Sequence, residues 1–158
     1  MANTQEELDT IRLFKTLKGV ISNIVEHFDC NDEKLEFLFS VDSKPFEVSY
    51  KLTIHPAEQL LTIYSKLPFT VEPDFRAGYA QTICQLNYDR MYACTYDFSL
   101  SKGSTVLRYP LSYRGCLISA DLLDNMIRQI YDIVTKYNEY LYDASRGLDA
   151  AIPPEATV

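Results

Sequence analysis

Residues Leu60 to Tyr113 read LLTIYSKLPFTVEPDFRAGYAQTICQLNYDRMYACTYDFSLSKGSTVLRYPLSY. Leu61, Ile63 and Leu67 oppose Leu60 and Tyr64 across a run that ends before Pro68, and apolar side chains on both faces predict a strand inside a sheet. Pro68 and Pro73 then frame an extended link. Pro73 suits the first turn of a helix, where its missing N–H costs nothing. Phe75, Tyr79, Ile83 and Leu86 follow at helical spacing, and Asn87 and Asp89 punctuate the end. Met91–Leu100 and Thr105–Tyr113 pair across Ser101-Lys102-Gly103-Ser104, where Gly103 can supply the positive φ of a tight hairpin. A strand, a helix and a hairpin in this order define an α+β chain.

Toward the amino terminus, Leu8, Ile11, Phe14, Leu17, Ile21, Ile24, Val25 and Phe28 recur at steps of three and four, the period of a core-facing helix over Glu6–Phe28. Thr4 and Glu7 make a capping box. Asp29 to Asp32 read as polar punctuation. Leu35, Phe37, Phe39 and Val41 alternate with polar residues as a first strand, Asp42-Ser43-Lys44-Pro45 as a turn, and Phe46, Val48, Tyr50, Leu52 and Ile54 as a second strand. His55-Pro56-Ala57 breaks it.

Toward the carboxyl terminus, Ser119 caps a long helix with Leu122, Met126, Ile130, Val134, Tyr137 and Leu141 in one stripe, widened by Leu123, Ile127 and Tyr131. Asp124 with Arg128, and Asp132 with Lys136, stand four apart on its outer face. Gly147 ends it. The expected order is α-β-β-β-α-β-β-α, one largely antiparallel five-stranded sheet flanked by helices. Residues 1–146 form a single domain, and 147–158, GLDAAIPPEATV, read as a disordered tail or a short partner-binding motif.

Composition narrows the function. With 158 residues, 47% hydrophobic and 23% charged, the chain is long enough for one core without a metal or disulfide staple. Cys30, Cys84, Cys94 and Cys116 form no CxxC pair, and His27 and His55 are the only histidines. Zinc-ligand spacing is therefore absent, and buried free thiols are expected. The net charge of -7 argues against nucleic acid as a partner, because phosphate binding needs a basic surface. The first residues lack a signal-peptide pattern and no stretch has the length of a membrane span, so a cytoplasmic protein without a membrane partner is expected.

A search for chemistry finds no catalytic constellation and no cofactor. No GxSxG, GxxxxGK or GxGxxG occurs, and neither histidine stands at motif spacing from a nucleophile or an acid. The twelve tyrosines are the compositional oddity, since tyrosine and arginine anchor interfaces. Tyr88, Arg90, Tyr92, Tyr96, Arg108, Tyr109, Tyr113 and Arg114 gather around the hairpin. Tyr92, Cys94, Tyr96 and Phe98 on one strand face would pack against helices. Tyr88, Tyr92, Tyr109 and Tyr113 are the candidate partner-binding residues.

The element order, with Leu61–Leu86, the hairpin from Tyr96-Asp97-Phe98 to Val106-Leu107-Arg108-Tyr109, and Ser119–Tyr137, resembles the YbjN domain proteins of bacteria, described as sensory transduction regulators. More distantly it resembles the type III secretion chaperones. The resemblance implies a bacterial, cytoplasmic, non-enzymatic homodimer that works through protein contacts, either as a YbjN-type regulatory module or as a dedicated chaperone for an extended effector segment. An undescribed enzyme is the remaining alternative, one that would need a pocket holding His27 or His55 beside a carboxylate and a hydroxyl or thiol.

Overall fold

The computed structural model describes residues 4–43 and 45–155. Helix α1 spans Gln5–Ile24, followed by strands β1 Asp29–Asn31, β2 Glu36–Ser43, β3 Phe46–His55 and β4 Leu60–Thr70. A short 3-10 turn at Pro73–Phe75 leads into α2 Arg76–Arg90, then β5 Thr95–Phe98, β6 Ser104–Ser112 and α3 Ala120–Ser145. The strands form one sheet of six in the order β1-β2-β3-β4-β6-β5, every pair antiparallel.

The sheet therefore has one strand more than the five expected. The addition is β1, in the Asp29–Asp32 stretch that reads as punctuation. Its residues, Asp-Cys-Asn, carry no alternation, and pairing with Leu38, Phe37 and Glu36 of β2 alone makes them a strand. Asn31 helps by accepting the Lys34 N–H on its Oδ1 at 2.9 Å, which tightens the turn between the two strands. The expected turn also begins late: Asp42 and Ser43 continue β2 and pair with Glu47 and Phe46, while Lys44 lies outside the described residues. β4 runs on through Pro68 to Thr70, with a register shift between Lys66 and Thr70 where the proline would otherwise interrupt the ladder.

One face of the sheet is covered by the helices. Across it runs the row Phe39, Tyr50, Ser65, Leu107 and Tyr96, in register over five strands and all buried. The opposite face carries Lys51, Lys66, Arg108 and Asp97, exposed. Period-two alternation over β2 and β3 fixes this inside-outside division. α3 supplies the long stripe, with Leu123, Ile127, Ile130, Val134 and Leu141 at 2% exposure or less, each such side chain contributing about 1.5–3 kcal/mol by leaving water. Leu122, expected in that stripe, is instead exposed. Ser119 caps α3 by accepting from Leu122 N. Asp124 and Arg128 pair at 2.7 Å, whereas Lys136 lies over the Tyr137 ring at 5.3 Å rather than on Asp132.

The capping box at Thr4 and Glu7 is present, but α1 is rotated from its expected setting. Thr10, Leu13, Leu17, Val20 and Ile21 face the core, and Leu8 and Ile11 face outward at 46% and 42% exposure. The helix ends at Ile24, so Val25 and Phe28 belong to the link toward β1.

Arg76 ties the start of α2 to the hairpin. Its Nε donates to Val71 O at 2.9 Å and its Nη1 to Leu100 O and Ser101 O at 3.0 and 2.8 Å. Gly103 takes φ 70°, the positive value expected of the hairpin, and its carbonyl accepts from Val71 N at 2.8 Å. β5 is shorter than expected because residues 91–94 are irregular. Gly147 closes α3 at φ 71°, with Leu148 N donating back to Asp143 O at 3.0 Å. Residues 148–155 carry no regular secondary structure, yet Ile152 packs against the core and Glu155 pairs with Arg90 at 2.6 Å. Among the described residues no helix is long and apolar enough to cross a membrane.

Candidate functional site

An open sheet has two edges, and rows of unpaired backbone groups on an edge invite another strand. The two edges here differ. At β5 the side chain of Asn87 occupies the place of a neighbouring strand, its Nδ2 donating to Tyr96 O at 2.8 Å and its Oδ1 accepting from Tyr96 N at 2.9 Å. At the other edge β1 covers β2 only from Glu36 to Leu38. Leu35 O accepts from Ile54 N at 3.0 Å, and antiparallel alternation then turns the backbone groups of Phe37, Phe39 and Val41 toward β3 and those of Ser40 and Asp42 outward. Of these, Asp42 O accepts from the Tyr131 hydroxyl at 3.3 Å. A groove of about 580 Å³ lies beside the free stretch, lined by Glu26, His27, Phe28, Asp29, Ser40 and Ser49 among others. Glu26 and Asp29 are its charged lining residues, while the exposed Lys51 and Lys66 stand in register with its Leu38 and Ser49.

On the other side of β1 a second opening of about 710 Å³ is lined by Ile11 and Phe14 of α1, by Leu35, and by Pro56 and Ala57 of the β3–β4 turn, with Glu6, Glu7, Lys15 and Asp32 around it. The outward stripe of α1 thus borders a cleft with an apolar floor. Leu35 takes φ 53°, left-handed backbone that a bulky side chain seldom adopts. Phe14 is held in place against Phe37, ring centroids 4.8 Å apart.

The expected tyrosines do not converge. Tyr88 and Tyr92 project into solvent at 88% and 92% exposure, near the end of α2. Tyr109 is half-buried on the helix-covered face, in register with Ile63. Tyr113 is a core residue at 2% exposure, its hydroxyl 2.9 Å from Thr10 Oγ1, so it offers no contact surface. Cys94 and Tyr96 are buried and Phe98 half-buried, as their shared face implies, but Tyr92 precedes the strand and leaves that face. Burial pushes the Tyr96 hydroxyl well above the usual tyrosine range and the Cys94 thiol up to about 11. All four cysteines are free, but only Cys94 is buried; Cys30 is half-buried, and Cys84 and Cys116 are exposed, against the expectation of buried thiols.

His27 borders the β2 groove without a hydrogen bond to any described side chain, and His55 Nε2 lies 2.9 Å from Thr62 Oγ1, whose other bond runs to Thr53 O. Neither imidazole meets a carboxylate and a nucleophile together. Among the described residues no three His, Cys, Asp or Glu side chains are grouped to hold a metal ion. Three features escaped the sequence reading: the Asn87 clamp, the free stretch of β2 and the outward stripe of α1. The last had a signal, since Leu8 and Ile11 lie about half a turn from Leu13, Leu17 and Val20, too wide an arc for one buried face.

No protein-family profile matches the chain, and no curated protein matches it in sequence. The architecture is an α+β fold, a six-stranded antiparallel sheet flanked by helices, and solved structures share it. The chain is similar in structure to the ExsC-ExsE complex, at TM-score 0.63 and 13% identity, covering 84% of this chain and 95% of that one. It is also similar to the Yersinia pestis type III secretion chaperone SycH in complex with a stable fragment of YscM2, at TM-score 0.52 and 10% identity, covering 75% and 93%. At these identities the likeness is one of fold.

Proposed function

We propose that the chain is a non-enzymatic, chaperone-like protein-binding module that receives an extended segment of a partner protein on the free stretch of β2. The observation that carries this reading is the unequal treatment of the two edges: Asn87 closes β5, while both backbone groups of Ser40 and the N–H of Asp42 point outward, with Ser40 beside an open groove. An added strand gains main-chain hydrogen bonds there, and alternate side chains of the partner enter the groove. Antiparallel self-pairing at this place would set Asp42 of one copy near Asp42 of the next, so the segment is foreign.

The SycH structure supports the reading by analogy, being a chaperone bound to a protein fragment. A YbjN-type regulator and a dedicated secretion chaperone are its two finer forms. A secreted substrate held extended in the isolated complex selects the second. A cytoplasmic homodimer is part of the same reading, and light scattering at micromolar concentration giving a strict monomer would remove it. Tyr88 and Tyr92 are the remaining surface tyrosines for a further contact.

The test uses peptides selected from a random display library against the immobilised chain. Binding should protect the Ser40 amide from hydrogen exchange, and Ser40→Pro, which removes that donor while sparing every backbone bond to β3, should abolish it; Ser40→Ala, which loses only the 3.4 Å hydroxyl contact with Ser49, should bind as before. Peptides that bind while Ser40 and Asp42 exchange at their free rates would sink the proposal.

A further inference from the structure

The tail beyond α3 follows α2 from one end to the other. At the start, Gly147 stands so close to Phe75 that a Cβ there would be 2.7 Å from the ring, and a groove of about 420 Å³ opens between Phe75 of the 3-10 turn, Gly78 and Thr82 of α2, and Ala144 and Leu148. Farther on, Ile152 packs against the core, and Glu155 meets Arg90, the last residue of α2, at 2.6 Å. The lengths agree: eight extended residues reach about 26 Å, and a helix of fifteen residues rises about 22 Å.

The fastenings are few. Among the described residues no backbone hydrogen bond joins residues 149–155 to the body. The Glu155 side chain is 60% exposed, and an ion pair so placed is weak and screened by salt. Pro153 and Pro154 restrict the free tail and lower the cost of laying it down. Removing the tail would uncover the Ile152 contact and leave Arg90 without its Glu155 partner.

We infer that the α2 face is a docking groove for an extended apolar-Pro-Pro-acid segment, and that the chain's own tail occupies it as a releasable ligand in cis.

The test uses the full chain carrying Ile152→Asp and Glu155→Lys, which should release its tail, and a fluorescein-labelled peptide DAAIPPEATV corresponding to residues 149–158. Fluorescence anisotropy should show the peptide binding this variant about tenfold or more tightly than the unaltered chain, where the tethered tail competes. Adding Arg90→Glu to the variant should weaken binding by about two- to fivefold, the worth of one exposed ion pair. Equal binding to both chains overturns the inference, and so does no binding to a variant that matches the unaltered chain in circular dichroism. If the double variant fails to fold, a chain ending at Leu148 takes its place with the same expectations. An unaltered chain that sediments as a dimer, resolved to monomers by the tail substitutions, would place the tail on a neighbouring copy and overturn the cis arrangement.

Discussion

Asn87 holds the backbone of Tyr96 from the side a further strand would take, donating to its carbonyl oxygen at 2.8 Å and accepting from its N–H at 2.9 Å. One side chain thus satisfies both outward groups of the residue and joins α2 to the sheet edge. Asn87→Ala leaves a buried-side donor and acceptor unmade, and urea denaturation should show a loss of about 1–3 kcal/mol. Asn87→Asp keeps the acceptor but removes the donor, so it should lie between the two. Equal stability of all three proteins would mean that water replaces the clamp without cost.

Gly103 should tolerate no side chain. Its φ is 70°, and an added Cβ would collide with Val71 O and meet Arg76 Nε at 3.0 Å. Gly103→Val combines a left-handed β-branched residue with a backbone collision, for a loss of about 2–4 kcal/mol. Gly19→Ala, in the middle of α1 with nothing within 4 Å of the new Cβ, should stabilise by up to about 1 kcal/mol. Thermal melts of the two proteins side by side check both signs.

The two apolar faces of α1 should separate stability from binding. Leu17→Ala, at 0% exposure, should cost about 2–5 kcal/mol. Leu8→Ser and Ile11→Ser, on the outward stripe, should change stability by about 0.5 kcal/mol or less. If the outward pair proves as costly as Leu17, the stripe is part of the core and not a surface held for a partner.

Raising the pH should weaken the fold through its buried thiol and phenols. Cys94 has its pKa raised from 9.0 to about 11 by burial, and burial raises those of Tyr79 and Tyr96 as well. Because the unfolded chain deprotonates first, the stability these groups contribute is complete below about pH 9 and is lost as pH rises through their folded-state pKa values. Chemical denaturation at pH 8, 9 and 10 should give falling midpoints. At pH 8 a thiol reagent should label Cys84 and Cys116 quickly and Cys94 only on unfolding; rapid labelling of Cys94 in the folded protein would contradict its burial.

Local pattern carried much of the architecture. Phe46 to Ile54 alternate without a break, Thr4 with Glu7 and Ser119 are helix starts by chemistry, and Gly103 and Gly147 mark turns that need a positive φ. These are interactions between near neighbours in the chain, so residue type and spacing suffice. β1 lacked such a signal because Asp-Cys-Asn becomes a strand only through partners supplied by β2, and the same holds for the rotation of α1, which has two apolar faces and buries the one that meets α3 and the sheet.

The candidate site was less legible still. Tyr88 and Tyr92 are exposed as a contact role requires, but Tyr113, of the same type and in the same block, is spent inside on Thr10 because β6 carries it beneath α1. The sequence by itself determined an α+β chain, its helix caps, its hairpin and the inward face of its central strands, because those follow from periodicity and backbone preference. Which edge of the sheet is closed by Asn87, which stays open at Ser40, and where the tail lies were decided only by tertiary structure, since each depends on groups far apart in the chain meeting within hydrogen-bond or van der Waals distance.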